Sequence, residues 1–358
     1  MKEDKHVVLI TGAAGYVGAM LVEQWSARDD VTHIVAVDKE TPEAFVADNP
    51  KTTWVHANTA DSAWEDVARK YAPDIVVHAA WQIRNLYGNT KEQWRWNVEG
   101  SERVFDFAFN TPSVTRLVYF STASLYGAYA SNTLEYAFTE EDPMRDDAYR
   151  YAYEKRIVEE MLHKKIAEHE GDAPRVSVVR PAAITGPRGR FMRERFGLQS
   201  ALSGKLSGSV IYKLVTLMTS VVPATKKWCR QFVHEDDVVD IVTRLAFGEA
   251  VAQGAIFNLA PGGAIVRPAD MAAAVGKKVV VLPPRLIGLV FFVMHHATLG
   301  KIPTSKGSWR FYSYPIVMDG SKVENVLGHT YCADSLTAFT TTSGRYAYAV
   351  PEEERQDG

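Results

Sequence analysis

The segment Thr11-Gly12-Ala13-Ala14-Gly15-Tyr16-Val17-Gly18, set directly after the apolar run Val7 to Thr11, constrains this chain more than any other feature. A β-branched run broken by three glycines and followed by the helical pattern Met20 to Arg28 reads as strand, tight turn and helix. Gly12 permits the turn, Gly15 lets backbone approach a pyrophosphate, and Gly18 lets the helix pack close to the sheet. The helix N-terminus, with Tyr16 and Val17, then offers backbone N–H groups to phosphates. A ligand-free glycine turn would show the same spacing, so the legible strand and helix around it carry the assignment.

The alternation continues. His33 to Val37, Trp54 to His56, Asp74 to His78, Arg116 to Thr122 and Val176 to Arg180 read as strands. Ser62 to Tyr71, Lys91 to Phe109 and Tyr149 to His169 read as helices. Such a chain is expected to form an α/β, Rossmann-like, doubly wound parallel sheet covered on both faces. Past Gly186 the pattern loosens, with short strands at Gln231 to Val233 and Ala255 to Leu259 and a helix at Asp236 to Phe247. Asp38 ends the second strand, twenty residues beyond Gly18, where an acid accepts the adenosine ribose hydroxyls and repels a 2′-phosphate. That favours NAD over NADP. Lys39 weighs slightly against it, and a solvated strand-end Asp would look the same. The expected organisation is an NAD-binding domain over residues 1–187, completed by about 231–263. Residues 188–230 and 264–345 are left for a smaller C-terminal substrate-binding lobe. Residues 346–358 are expected to fray, the stretch from Pro351 being the most polar.

Further motifs lie in order along the chain: His78-Ala79-Ala80-Trp81, Asn97 within Trp96-Asn97-Val98-Glu99-Gly100, and Phe120-Ser121-Thr122-Ala123-Ser124-Leu125-Tyr126-Gly127. Then come Tyr151-Ala152-Tyr153-Glu154-Lys155, Arg180-Pro181 with Gly186-Pro187, and Gln231-Phe232-Val233-His234 before Asp236-Asp237. Together they resemble the extended short-chain dehydrogenase/reductase family, in its NAD-dependent epimerase/dehydratase branch, over roughly residues 7 to 260.

Tyr151 and Lys155, four apart on a helix, share one face. An ammonium beside a phenol lowers its pKa from about 10, so that the tyrosinate can take a proton from a substrate hydroxyl as the carbon bearing it is oxidised. Taken alone, the pair would also suit an ordinary amphipathic helix. Tyr149 and Tyr153 lack a lysine four residues on. Thr122, at its strand's end, is expected to bond the same substrate oxygen. Ser124 is a second hydroxyl candidate, facing substrate. The resemblance further implies that Asn58 and Thr59 meet the adenine, with Asn58 where the family usually has Asp. It implies that Ala79, Ala80 and Trp81 line the cofactor, that Asn97 braces the site, and that Pro181 and Ile184 border the nicotinamide.

Residues 188–230 fall where this family contacts substrate. They hold Arg188, Arg190, Arg193, Arg195, Lys205, Lys213, Lys226, Lys227 and Arg230 against one acid, Glu194. A local excess in a chain of net charge -3 suggests an anionic small molecule, or else a solvated basic face. The resemblance places Arg230 where nucleotide-sugar enzymes hold a diphosphate, a job suited to a guanidinium fork. The segment departs from those enzymes in lacking Asn and Asp. Its apolar stretches, Val210-Ile211-Tyr212 and Leu214 to Val222, together with Leu286 to Met294, would suit a greasy pocket like that of sterol-dehydrogenase-like members. The leading expectation is an epimerase or dehydratase of a nucleotide-activated sugar. The alternatives are a hydroxyl dehydrogenase of an apolar alcohol and an NAD-binding regulator without turnover.

The near-neutral charge gives no global field to draw the chain to nucleic acid. Leu286 to Met294 falls short of the ~20 residues that span a bilayer, but suits a helix lying on a membrane surface or packed in a core. Cys229 and Cys332 lack metal-ligand spacing and read as reduced thiols, and His295-His296 has no carboxylate at helical spacing. The opening residues show no secretory leader, so a cytoplasmic enzyme is expected, with no metal. The two longest helices are expected to pair in a homodimer, as the resemblance implies.

Overall fold

The computed structural model describes residues 5–189, 221–274, 276–300 and 304–350. The chain divides into two compact units. The first comprises Met1–Thr122, Tyr153–Arg180 and Ile241–Phe257; the second comprises Ala123–Ala152, Pro181–Asp240 and Asn258–Gly358.

The first unit carries β1 (His6–Thr11), α1 (Tyr16–Ser26), β2 (Val31–Asp38), α2 (Ala44–Ala47), β3 (Thr52–His56), α3 (Ala63–Tyr71) and β4 (Ile75–His78). These are followed by α4 (Thr90–Trp94), α5 (Gly100–Asn110), β5 (Arg116–Phe120), α6 (Arg150–Glu168) and β6 (Arg175–Pro181). The unit boundary falls inside α6, after Ala152. Later come β7 (Ala183–Thr185), β8 (Val221–Ala224), β9 (Phe232–His234), α7 (Glu235–Phe247) and β10 (Ala255–Leu259). The sheet runs β10-β6-β5-β4-β1-β2-β3, with parallel register from β6 through to β3. The order reverses beside β1, so the glycine turn sits where an open α/β sheet binds its ligand. Strands covered on both faces must be apolar throughout, hence the continuous runs legible in the sequence. Leu9, Val35, Val76, Leu117 and Val178 pack with Trp64, Phe105 and Val158 in one buried cluster.

The long helix expected from Lys91 to Phe109 is interrupted. Between α4 and α5, Arg95–Glu99 forms a π-helical turn. The wider turn admits an extra residue and re-aims the side chains beyond it, as such turns commonly do near functional sites. Asn97, at its centre, is buried. A buried ion pair fastens α6 to the sheet: Arg180 Nε donates to Glu159 Oε1 at 3.0 Å, and Nη2 donates to the same oxygen. Both side chains are almost wholly out of water, so neither charge is tolerable without the other.

In the second unit β7 pairs with β9 in parallel, Ile184 opposite Val233. The strand expected at Gln231 to Val233 is thus displaced by one residue and lies in a separate two-stranded sheet. The remaining elements are α8 (Pro268–Ala274), β11 (Lys278–Val281), which pairs with β8, α9 (Pro284–Ala297), α10 (Ser321–Leu327) and α11 (Ser335–Thr340). Trp228, Phe232, Val266, Met271 and Phe339 form a second buried cluster. The apolar run Leu286 to Met294 lies within α9, started by Pro284, whose fixed φ suits the first helical turn. Among the described residues no helix is long and apolar enough to cross a membrane. Within the stretch expected to fray, Tyr346 and Val350 are buried and Tyr348 is exposed, and 351–358 lie outside the described residues.

Candidate active site

The glycine turn is a cradle that no side chain could enter. Gly12 has φ +77°, and a Cβ there would stand 2.5 Å from the Ala80 nitrogen and 2.7 Å from the Ala79 carbonyl carbon. A Cβ on Gly15 would press on the Gly12 carbonyl oxygen at 2.9 Å, and one on Gly18 would overlap it. The ends of β1 and β4 therefore close on each other through bare backbone just before α1, whose first turn holds Tyr16 and Val17. Asp38 is tied to this turn: Oδ2 accepts from the Ala14 N–H and Oδ1 from the Glu40 N–H, each at 3.0 Å. Burial raises its pKa, while those backbone donors oppose the rise. Lys39 is drawn elsewhere, paired with Glu40 at 2.6 Å and lying 4.5 Å from the Trp96 ring centroid. These residues fit NAD. A 2′-phosphate beside the Asp38 carboxylate would meet like charge, so NAD is expected to bind about tenfold or more tighter than NADP. Calorimetric titration with both dinucleotides checks this; equal or tighter NADP binding contradicts it.

Behind the cradle, His78 is hydrogen-bonded to Thr11 Oγ1 at 2.7 Å and to Ser101 Oγ at 2.8 Å. Burial, reinforced by the Lys155 charge, holds its pKa down at about 3, so it is a neutral brace between β1, β4 and α5. Asn58 Oδ1 accepts from the Ala60 N–H at 2.9 Å, shaping the loop after β3. Thr59 is buried, with its carbonyl accepting from Trp64 Nε1.

Lys155 is buried. Its ammonium donates to the Phe120 carbonyl and stands 3.8 Å from the Trp81 ring centroid and 4.9 Å from that of Tyr119. Burial pulls its pKa well down, and only the Glu159 carboxylate pulls the other way. Thr122, also buried, follows β5 two residues after Phe120. Asn97 is committed to the protein. Its Oδ1 accepts from the Gln82 N–H at 2.8 Å, and its Nδ2 donates to the Gln82 carbonyl at 3.1 Å and to Glu154 Oε2 at 2.7 Å. Gln93 donates to the same Glu154 oxygen at 3.3 Å. Asn97 thus ties the loop after Trp81 to α6. Glu154 was not foreseen as part of this arrangement. A charged residue on a helix reads as solvent-facing, and only its place inside the Tyr151–Lys155 motif hinted otherwise.

The second unit holds the other expected residues. Ser124 lies in the 3-10 turn Ala123–Tyr126, Pro181 ends β6, and Ile184 lies in β7. Tyr151 stands near the start of α6, with Lys155 one helical turn further on. The Tyr149 ring is 5.6 Å from that of Tyr151 and 5.1 Å from that of Phe311. Arg230 is fixed by a two-way backbone bridge to Val266, and its guanidinium lies 5.2 Å from the Tyr312 ring centroid. Tyr149, passed over for lack of a lysine partner, thus joins Tyr151 to an aromatic group that includes Phe311. Burial drives its pKa up, Tyr151 and Tyr312 add to that, and Arg230 works against it. The basic excess is partly structural. Arg188 is buried, its N–H donating to Glu235 Oε1 at 2.9 Å and its guanidinium 5.7 Å from the Tyr346 ring. Arg190, Arg193, Arg195, Lys205 and Lys213 lie outside the described residues, as do Glu194, Val210 to Tyr212, and Leu214 to Ser220. Among the described residues no cluster of three His, Cys, Asp or Glu side chains is arranged to hold a metal.

The model of the NAD dependent epimerase/dehydratase family matches residues 8–260 of this chain. An uncharacterized protein of Mycobacterium tuberculosis is 23% identical over 262 residues, which are 73% of this chain and 63% of that protein. The chain thus spans less than two thirds of the length of that relative. Among solved structures, the Bordetella bronchiseptica enzyme WbmG in complex with NAD and UDP has a TM-score of 0.66 at 22% identity, covering 92% of this chain and 91% of that one. UDP-glucose 4-epimerase of Thermotoga maritima with UDP-glucose has a TM-score of 0.68 at 17% identity, covering 96% and 98%. dTDP-glucose 4,6-dehydratase of Bacillus anthracis in complex with NAD has a TM-score of 0.65 at 16% identity, covering 97% and 98%. At these identities the likeness establishes the fold.

Proposed function

Because the chain belongs to the NAD dependent epimerase/dehydratase family, we propose that it acts on a nucleotide-activated sugar, oxidising one sugar hydroxyl to a transient ketone. The observation that carries the reading is the motif on α6: Tyr151 one helical turn before Lys155, whose ammonium is held between the Phe120 carbonyl and the Trp81 face. NAD, when bound, supplies the reversible two-electron oxidation of the substrate carbon. Gly12, Gly15 and Gly18 would hold its pyrophosphate and Asp38 its adenosine ribose, with Ala79, Ala80 and Trp81 lining the pyrophosphate and ribose, Asn58 and Thr59 meeting the adenine, and Pro181 and Ile184 beside the nicotinamide.

In this reading the Tyr151 oxygen takes the proton of the substrate hydroxyl and later gives it back. An ammonium on Lys155, one helical turn on, would favour the phenolate. Thr122 orients the hydroxyl, with Ser124 as a second donor. Residues 188–230 and 264–345 supply the substrate-binding lobe, and the NAD-binding domain occupies 1–187 with about 231–263. The enzyme works in the cytoplasm as a homodimer.

Nucleotide substrates are favoured over apolar alcohols by Arg230, held at a fixed backbone bridge beside Tyr312. The structural neighbours bind UDP and UDP-glucose, which fits the same choice. Arg230→Ala should remove charge-assisted hydrogen bonds to a diphosphate and raise KM by about 10–150-fold, with kcat little changed. Arg230→Lys should recover only part, since an ammonium has no planar fork. Steady-state kinetics with UDP- and dTDP-sugars in the presence of NAD test both. No turnover of any nucleotide sugar, or an unchanged KM in Arg230→Ala, sinks the nucleotide-sugar reading and leaves an apolar alcohol as substrate.

A further inference from the structure

The helix α9 (Pro284–Ala297) exposes the wrong chemistry for a protein surface in water. Leu289 is 58% exposed, Phe292 62% and Val293 54%, and Leu286 and Val290 beside them are exposed too. These positions fall three and four apart, so they form one face of the helix. The opposite face is satisfied by the protein: Ile287 is buried, a Cβ on Gly288 would meet the Trp309 ring at 3.4 Å, and Phe291 packs on Tyr312 with ring centroids 5.1 Å apart. The outward residues thus form a contiguous apolar patch on a helix already anchored from behind. Patches of this kind mark interaction surfaces.

Charge identifies the partner. From residue 271 to residue 318 the chain has no Asp or Glu at all, although it has 43 of them elsewhere. The same stretch holds six bases: Lys277, Lys278, Arg285, Lys301, Lys306 and Arg310. Lys278, Arg285 and Lys306 are exposed. An apolar helix face within an acid-free, basic stretch complements a surface that is apolar inside and anionic at its rim, which is an anionic lipid bilayer. A second copy of the chain would bring a second basic stretch against the first and be repelled. The helix is 14 residues, so at ~1.5 Å per residue it is too short to cross a hydrocarbon layer of ~30 Å and must lie in the plane of the surface.

We propose that α9 docks the protein on the surface of an anionic membrane, with Leu289, Phe292 and Val293 entering the headgroup–acyl boundary and Lys278 and Arg285 meeting anionic headgroups. The test is flotation of the full chain with vesicles of equimolar phosphatidylglycerol and phosphatidylcholine, against vesicles of phosphatidylcholine alone. Binding is expected to the first, to weaken with salt, and to be at least about tenfold lower on the second. Leu289→Ser/Phe292→Ser/Val293→Ser should lose binding to both, and Lys278→Glu/Arg285→Glu should lose the preference for anionic vesicles. Both variants should keep wild-type NAD affinity, which shows that they are folded. The proposal is overturned if the wild type does not float with anionic vesicles, or if the triple variant floats as well as wild type. It is equally overturned if, without lipid, the triple substitution turns a dimer into a monomer, since a second copy then covers the face.

Discussion

Tyr151→Phe is expected to lower kcat by about a hundred- to ten-thousand-fold while leaving NAD affinity within a factor of about two. The substitution removes one oxygen and nothing else. The ring that stands 5.6 Å from Tyr149 is retained, so no cavity opens and the aromatic group stays packed. The cofactor cradle is built of Gly12, Gly15, Gly18, Ala79 and Ala80 backbone, none of which depends on the phenol. Turnover and calorimetric NAD binding, measured on one preparation, separate the two effects. Tyr149→Phe is the informative control. Burial drives the Tyr149 pKa up and so keeps its proton on the phenol, where it cannot accept another, so its loss should cost far less. Retention of most of the kcat in Tyr151→Phe would show that another group moves the proton.

The features legible in the sequence are those set by neighbours along the chain. The strands β1, β2, β4 and β5 announced themselves because burial on both faces demands uninterrupted apolar residues. The glycine turn was legible because its conformational demand is local, and the Tyr151–Lys155 pair because four residues make one helical turn. What stayed hidden depends on residues distant in sequence. The π turn at Arg95–Glu99 leaves no trace in periodicity, since its apolar positions still fit an α-helix within a residue. Glu154 and Glu159 read as surface charges. Only the fold supplies their partners, Asn97 and Gln93 for one and Arg180 for the other. Asn97 illustrates the boundary between the two classes. Its motif marked it as a brace, but the Gln82 backbone that it grips lies fifteen residues away across a loop with no sequence signature. Arg230 was placed by its motif, whereas Tyr312 beneath it, 82 positions on, was not foreseeable. The outward face of α9 was legible as an apolar run and no further, because exposure is a property of the packed chain.

Gly12→Ala is expected to destabilise the fold by about 4 kcal/mol or more and to abolish detectable NAD binding at concentrations that saturate the wild type. Two costs combine. The backbone at Gly12 has φ +77°, a region that costs an alanine about 1–2 kcal/mol. The new methyl would also stand 2.5 Å from the Ala80 nitrogen and 2.7 Å from the Ala79 carbonyl carbon. Those are backbone atoms at the end of β4, and they cannot swing aside as a side-chain tip can. Relief requires the ends of β1 and β4 to part, and that moves the N-terminus of α1 away from where the pyrophosphate must lie. Gly88→Ala separates the two costs. Gly88 has a nearly identical φ of +74°, but a Cβ there meets nothing within 4 Å. That variant should therefore pay only the backbone strain, about 1–2 kcal/mol, and bind NAD like the wild type. Urea unfolding of the two variants, with NAD titration of each, measures the difference directly. If Gly12→Ala costs no more than Gly88→Ala, the contact with Ala79 and Ala80 is not the constraint that shapes the cradle.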